Sequence, residues 1–360
     1  MGKITHDLLP KQRSRKHNLK VEIDIYPYAT ELYEELEHIG IINRVKEIPQ
    51  LGVIKVAKRL AKTRYDYIML QLYLHQMIKN HLQGHLRLTY NNYVAAKEFR
   101  KDYKYIKKDK PSIGDILQLL TIVYNIGHFY NTFTASRAVT MLASEDSAFF
   151  DMVVGASTSE HFQEAAKSIL NSKNYQRLHL LNSILILERC DQAKQSVSLA
   201  MEILYAYINE STLPEDSKLK YAFAIFRNVR TVSYMAYDLQ IAETPLTIDL
   251  CNEKAMILLL QELLSEYNNN QSSHHLVQST TKLLDDTVYN ENSNAICYYK
   301  ISRKMVSLIT KDPSYTSTNY YADLFADKRS ILNRTHAHKR DYAQSQILKL
   351  TFSGDQRFLS

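Results

Sequence analysis

Three histidines, His75, His81 and His85, have the residue type and the spacing that could bind a metal ion. His81 and His85 are four residues apart, which would place two imidazoles on one face of a helix, as in zinc-binding helices. Gly84 lies between them, and no glutamate nearby could act as a general base. We therefore favour a surface or core role for these histidines over a metal site.

The segment 91–110 mixes tyrosines with lysines and arginines, a pattern that could bind nucleic acid. Tyrosine rings can stack on bases while basic side chains contact the phosphates. An amphipathic helix with its tyrosines facing inward would produce the same pattern. Two more basic clusters, Lys11–Lys20 and Lys328–Arg340, add to the net charge of +7, and solvated helix ends or loops would account for all three. A nucleic-acid-binding helical scaffold therefore stays open as one function.

Three motifs with charged and aromatic residues occur in order along the chain. The first combines the turn QLG at 50–52 with TRYDY at 63–67. The second is YNIGH at 124–128, at the end of an apolar segment. The third is RTVSYMAYD at 230–238. Each motif is short, so its meaning depends on the order of all three and on their helical positions.

In this order the motifs resemble those of the HD-domain dNTP triphosphohydrolases, a family that includes dGTPases and SAM-and-HD-domain enzymes. The resemblance covers residues 21–250 and implies an all-α, HD-domain-like fold, with oligomerisation as in the family. The family holds a catalytic metal ion with histidine and aspartate ligands. The matching positions in this chain carry other residues, namely Tyr67, Tyr124, Asn125 and Arg230.

These replacements remove the chemistry on which the family's metal ion depends. A tyrosine phenol, with a pKa of about 10, is a poor metal ligand, and an asparagine amide is a weak neutral one. Arg230 stays protonated and would repel a cation. We therefore expect no divalent metal and no other cofactor, and no hydrolysis by the family mechanism.

The positions that contact the nucleotide in the family are better preserved. The matching residues are Gln50, Leu51, Arg64, Tyr234 and Asp238. His128 matches a catalytic histidine and could donate a hydrogen bond to a phosphate, whereas Phe133 stands where the family has another histidine. Arg230 could pair with a phosphate in place of the metal ion. The resemblance favours a pseudo-phosphohydrolase that binds a nucleotide or related phosphate in a regulatory or interaction role, as a homo-oligomer or with a partner protein.

Two other interpretations of these residues stay open. They could be structural: Arg64 could pair with Asp238 inside the core, Gln50 could cap a turn, and the tyrosines could pack. Alternatively, the chain could be an active metal-dependent nucleotide phosphohydrolase with displaced ligands, in which His128 acts together with Asp66 or Asp238.

Helices must position these residues, because 8 glycines and 7 prolines in 360 residues supply few turns for strands. The apolar spacing predicts an amphipathic helix over Arg64–His81 and a nearly uncharged, buried central helix over 114–126. A further helix should begin near Tyr28, and Pro49 should lie in the first turn of another. The remaining helical periods lie near 134–154, 160–171, 175–190, 193–209, 217–242 and 250–267.

The composition suggests four segments along the chain. Residues 1–20 should be a loosely held basic arm, 21–267 the HD-like helical domain, 268–275 a flexible polar loop, and 276–360 a helical C-terminal extension.

Several classes of protein are excluded by the sequence. It contains no glycine-rich phosphate loop, dinucleotide fingerprint or serine-hydrolase elbow. Apolar runs are shorter than the roughly 18 residues that a membrane span needs, and the N-terminus lacks an apolar leader. Cys190, Cys251 and Cys297 are far apart, as expected of reduced thiols. We therefore expect a soluble, cytoplasmic protein that does not contact a membrane.

Overall fold

The structure is a computed structural model that describes residues 2–9, 19–50, 62–99, 110–238, 249–269, 282–283, 295–312, 314–316, 320 and 323–325. Helices predominate in these residues, so the all-α prediction is confirmed. The helices are α1 (Pro27–His38), α2 (Ile41–Glu47), α3 (Arg64–His81), α4 (Ile113–Ile126), α5 (Thr132–Glu145), α6 (Ser147–Val154), α7 (Glu160–Asn171), α8 (Leu178–Leu187), α9 (Gln195–Ile208), α10 (Lys218–Asp238), α11 (Glu253–Asn269) and α12 (Ala295–Thr310).

The N-terminus forms an antiparallel hairpin of strands β1 (Gly2–Leu9) and β2 (Leu19–Ile25), in which Ile4 pairs with Ile23. Every second residue of β2 from Val21 to Ile25 is buried. This alternation places β-branched side chains on one face of the hairpin and charged side chains on the other. Residues 2–9 are therefore a paired strand. The charge of the segment, in contrast, predicts a loosely held arm there.

Local signals explain where several helices begin. The Asp146 carboxylate accepts hydrogen bonds from the backbone of Ala148 and Phe149 and starts α6. At α4, Ser112 and Asp115 bond to each other's backbone N–H, a reciprocal cap. Each such cap contributes on the order of 1 kcal/mol, because it satisfies a backbone donor that the first helical turn leaves unpaired.

The central helix α4 is buried along its length, as its nearly uncharged sequence predicts. Pro49, in contrast, does not lie in a first helical turn. It pairs with Thr63 in an antiparallel bridge, and the backbone N–H of Gln50 donates to the carbonyl of Lys62. The rest of that predicted helix, residues 51–61, lies outside the described residues.

The basic segment 91–110 also departs from the amphipathic helix considered as one interpretation. Tyr93 forms an antiparallel bridge with Ser112, and Ala96–Glu98 is a single 3-10 turn. Residues 100–109, like most of the polar tract 268–275, lie outside the described residues. Asn268 and Asn269 form the end of α11, and α12 supplies helix within the predicted C-terminal extension.

The chain folds into two compact units, each assembled from separate stretches of sequence. The first unit comprises the described parts of Met1–Ile39, Asp66–Tyr124 and Leu187–Val288. The second comprises those of Gly40–Tyr65, Asn125–Ile186 and Tyr289–Ser360. The predicted boundaries at residues 20, 267 and 275 remain predictions. In the described part of the chain, no helix is long and apolar enough to cross a membrane.

Candidate functional site

In the first unit, the half-buried Arg230 of α10 lies among aromatic rings. Its guanidinium carbon is 4.1 Å from the ring centre of Tyr124, 5.3 Å from that of Tyr234 and 5.7 Å from that of Phe226. Nη2 of Arg230 donates a hydrogen bond of 2.6 Å to the Tyr234 hydroxyl, one helical turn away. This contact ties the cation to its own helix, while α4 supplies the facing ring.

Tyr207 of α9 completes this group, which we call the Arg230 collar: Arg230 with Tyr124, Tyr207, Phe226 and Tyr234. The Tyr207 ring meets those of Tyr124 and Phe226 edge to face, each with 5.8 Å between ring centres. Edge-to-face contact is a favourable arrangement of aromatic rings and contributes roughly 0.5–1.5 kcal/mol per pair. Tyr207 was not identified from the sequence, because no local pattern tells which aromatic residue of α9 will face α10.

The charge of Arg230 has no carboxylate partner among the described residues, since its contacts there are rings and a phenol. Its Nε is buried and has no acceptor within that part of the chain. Burial by itself lowers the pKa of Arg230, but the phenol oxygens of Tyr124, Tyr234 and Tyr207 outweigh it and hold the pKa above its ordinary value. The collar therefore carries a permanent positive charge.

Tyr67 and Asp238 lie next to the collar and are fully buried. The Tyr67 hydroxyl donates to Oδ2 of Asp238 over 3.3 Å, and the Tyr67 ring centre is 5.3 Å from that of Tyr234. The first unit thus brings together five of the residues singled out in the sequence: Tyr67, Tyr124, Arg230, Tyr234 and Asp238.

The N-terminal hairpin contacts residues next to Tyr67 and Asp238. His6 of β1 and Asp66 of α3 are 3.1 Å apart, between Nε2 and Oδ1, and both side chains are mostly buried. The Tyr237 hydroxyl donates to the carbonyl oxygen of Leu8 over 3.4 Å. Asp66 and Tyr237 are the immediate neighbours of Tyr67 and Asp238, so β1 is attached at the point where α3 meets α10.

The residues that the sequence resemblance aligns with metal ligands do not fit a divalent cation. Arg230 is a fixed cation, and the Tyr67 hydroxyl is used as a donor to Asp238. Within the residues that the structure describes, no three His, Cys, Asp or Glu side chains are grouped as a metal site. No step of a reaction can be derived through a metal ion at this place.

The three histidines of α3 and the following turn have separate surroundings. Nδ1 of His75 hydrogen-bonds the Tyr90 hydroxyl at 2.8 Å, and burial lowers the pKa of His75 to about 3. His81 pairs with Glu253 at 3.2 Å, and His85 is exposed. A core role for His75 and surface roles for the other two account for these positions.

Other predicted site residues belong to the second unit, where they are buried. His128 stacks on His179, with 4.2 Å between ring centres and 9° between the ring planes. The Arg64 guanidinium lies 5.8 Å from the Phe133 ring centre, which is 6.4 Å from that of His128. Gln50 and Asn125 are buried in this unit as well, and Leu51 lies outside the described residues. His179 was missed in the sequence, where it carries no motif.

Around Gly127, side chains and backbone atoms pack closely against the main chain. We call this region the Gly127 turn and define it as Gly127, His128, Arg44, His179 and Asn182. A Cβ atom at Gly127 would lie 2.0 Å from the His179 carbonyl oxygen, so only glycine fits. Arg44 donates to the carbonyl oxygens of Ile126 at 3.0 Å and His128 at 2.6 Å. Asn182 donates to the Gly127 carbonyl oxygen at 2.9 Å.

A third feature is an exposed aromatic ring on a fixed backbone. Tyr93 is 62% exposed, although its backbone pairs with Ser112 and its carbonyl accepts a 2.7 Å hydrogen bond from Nζ of Lys218. Lys97 and Lys110 are exposed close by along the paired segments. A ring held outward beside lysines can stack on a flat partner that carries negative charge.

No model of a known protein family, no curated protein and no solved structure matches this chain.

Proposed function

We propose that this chain is a catalytically degenerate relative of the HD-domain phosphohydrolases that binds a nucleotide or a related phosphate at the Arg230 collar without a metal ion. The observation that carries the proposal is the partly accessible Arg230 cation, whose described partners include no carboxylate. A regulatory or interaction role, in a homo-oligomer or with a partner protein, is part of the same proposal.

The chemistry of the collar suits an anion. A guanidinium binds phosphate oxygens with two parallel hydrogen bonds, which are charge-assisted and stronger than neutral ones. Tyr124, Tyr207 and Tyr234 add hydroxyl groups that can donate to an oxyanion. The aromatic rings around the guanidinium make its surroundings less polar than water, and this strengthens its attraction to a bound phosphate.

Thermal unfolding in EDTA tests the proposal, because a ligand that binds only the folded protein raises the melting temperature. The panel contains inorganic phosphate, dNTPs, NTPs and cyclic nucleotides. At about 100 times its Kd, a ligand should add roughly 2.7 kcal/mol of stability, which raises the melting temperature by about 5 °C.

Two arginine variants on helix α10 distinguish binding at the collar from a nonspecific effect of positive charge. Arg230→Met should abolish the rise. Arg227→Met should keep it, because Arg227 is exposed and pairs with Glu210 instead. No response of the unchanged chain to any ligand, or an undiminished response of Arg230→Met, would contradict the proposal.

A second function, single-stranded nucleic-acid binding, is favoured by the exposed Tyr93 ring and its neighbouring lysines. Fluorescence anisotropy with labelled DNA and RNA oligonucleotides should show affinity that falls steeply with salt. Tyr93→Leu should weaken binding about tenfold, since one stacked base is lost. Tyr299→Leu removes another exposed tyrosine, 51% accessible, and should have no effect. If Tyr93→Leu and Tyr299→Leu bind nucleic acid with equal affinity, this second function is contradicted.

A further inference from the structure

The Tyr67 side chain connects the N-terminal hairpin with the Arg230 collar. On one side its ring centre is 5.3 Å from that of Tyr234, whose hydroxyl accepts the hydrogen bond from Arg230. On the other side it is 5.6 Å from the ring centre of Tyr237, whose hydroxyl donates to Leu8 of β1. A continuous row of packed rings therefore runs from the strand to the collar.

A second attachment holds the helix that carries Tyr67. Asp66 is the preceding residue on α3, and its carboxylate lies 3.1 Å from the His6 imidazole of β1. The two residues are only 18% and 16% exposed at the side chain. Water competes less for a hydrogen bond between mostly buried groups than for an exposed one.

We propose that the N-terminal hairpin is a positioning element of the Arg230 collar: β1 holds Asp66 and Tyr237, which fix Tyr67 and through it Tyr234. His6 and Leu8 act through other residues and do not touch the ligand. The effect on binding rests on the proposed function, whereas the link between β1 and α10 is independent of any ligand.

Small displacements of Tyr234 should matter because it sets the direction of the guanidinium. Binding groups must be held within a fraction of an ångström to keep both hydrogen bonds to a phosphate. If Tyr67 loses its support, Tyr234 can adopt other rotamers, and Arg230 then loses the 2.6 Å bond that fixes Nη2.

Hydrogen exchange by mass spectrometry tests the link without a ligand. His6→Ala and Tyr237→Phe should each accelerate exchange about fivefold in peptides from residues 226–238, the effect of losing one typical hydrogen bond. Lys3→Ala is the matched control, because Lys3 pairs with Glu22 on the exposed side of the same hairpin. It should leave that exchange unchanged.

Binding affinity tests the positioning role. It is measured in EDTA, well below the melting temperature, for inorganic phosphate or for the nucleotide that stabilises the unchanged chain most. His6→Ala and Asp66→Ala should each weaken binding about fivefold, and the double variant no further, because both remove the same contact. Tyr237→Phe keeps the ring and tests the Leu8 bond by itself in case His6→Ala does not fold.

The outcomes separate the two proposals. Unchanged exchange in both His6→Ala and Tyr237→Phe would overturn the link between β1 and α10. The positioning role would be overturned if His6→Ala and Tyr237→Phe exchange faster but bind the phosphate ligand as tightly as Lys3→Ala does. If the unchanged chain binds no phosphate ligand, the proposed function fails, while the exchange data alone decide whether the hairpin holds α10.

Discussion

In the first unit, an arginine lies half-buried among tyrosine rings, with one phenol as its hydrogen-bond acceptor. In the second unit, Arg44 donates to two backbone carbonyls, and the nearby His128 and His179 are only 3% exposed. Both regions therefore contain cationic or basic side chains next to a sequence motif. Arg44 and Arg230 are both partly exposed, and they differ in what their guanidinium groups contact.

This difference separates the effects that substitutions should have. Residues of the Gly127 turn satisfy buried backbone groups, so their loss should lower the free energy of unfolding. Arg230 of the collar should contribute little to stability, because the desolvation of its guanidinium offsets its ring contacts. Its loss should instead reduce the response to a ligand.

The largest effect is expected for Gly127→Ala. The new Cβ would lie 2.0 Å from the His179 carbonyl oxygen and 2.5 Å from the Ser183 nitrogen, both backbone atoms that cannot move aside independently. We expect a loss of about 3 kcal/mol or more in urea unfolding. Gly84→Ala is the control, because nothing lies within 4 Å of its Cβ position, and it should cost less than about 0.5 kcal/mol. Similar midpoints for the two variants would mean that the Gly127 turn is not tightly packed.

Asn182→Leu should have a smaller effect than Gly127→Ala. Asn182 donates to the Gly127 carbonyl at 2.9 Å and accepts a 2.7 Å hydrogen bond from the Tyr320 hydroxyl. Leucine has a similar volume but removes both hydrogen bonds from a buried site, at a cost of about 2 kcal/mol. Tyr320→Phe removes only the second bond and should cost about 1 kcal/mol. A smaller loss for Asn182→Leu than for Tyr320→Phe in urea unfolding would contradict this bridge.

A third effect, in the first unit, depends on pH. Burial lowers the pKa of His75 to about 3 in the folded protein, below its ordinary 6.5. Between these values the unfolded chain binds a proton that the folded chain does not, so stability falls as the pH drops through this window. The contribution is about 1.4 kcal/mol per pH unit.

His75→Gln provides the measurement, because it keeps a hydrogen-bonding side chain beside Tyr90 and cannot titrate. Urea unfolding at pH 7, 6, 5 and 4 should give a shallower dependence for the variant than for the unchanged chain. Parallel curves would show that His75 does not remain neutral in the folded protein.

The smallest change in stability is expected for Arg230→Met, within about 1 kcal/mol, since the lost ring contacts and the relieved desolvation oppose each other. Arg44→Met should cost about 2 to 3 kcal/mol, because it leaves two carbonyls without a charged donor. Urea unfolding of the two variants compares the regions directly, and equal losses would erase the distinction between them.

Much of the fold could be predicted from local patterns. Helix α3 has the predicted bounds Arg64–His81, and α7 spans the predicted 160–171, because apolar spacing and flanking polar residues mark these helices locally. The hairpin could not be predicted in this way. Its charged residues conceal the alternation of β2, and its pairing with β1 joins residues up to 23 positions apart.

The candidate site shows the same limit. The first unit brings Tyr67, Tyr124 and Arg230 into one group, whereas Asn125, the fourth position that the motifs single out, belongs to the second unit. Tyr207 and His179 had no motif to reveal them, since their roles depend on which helix faces which. The nucleotide and pseudoenzyme interpretation remains a prediction, and the Arg230 experiments test it.

Within the described residues, the hydrogen bonds of Arg44 are accepted by the main-chain oxygens of Ile126 and His128, so they do not depend on the side chains at these two positions. Isoleucine and histidine there could be exchanged for other residues of suitable size, and the guanidinium would still have both acceptors. The glycine between them cannot be replaced. A search for related sequences should therefore require Gly127 and Arg44 before it requires His128.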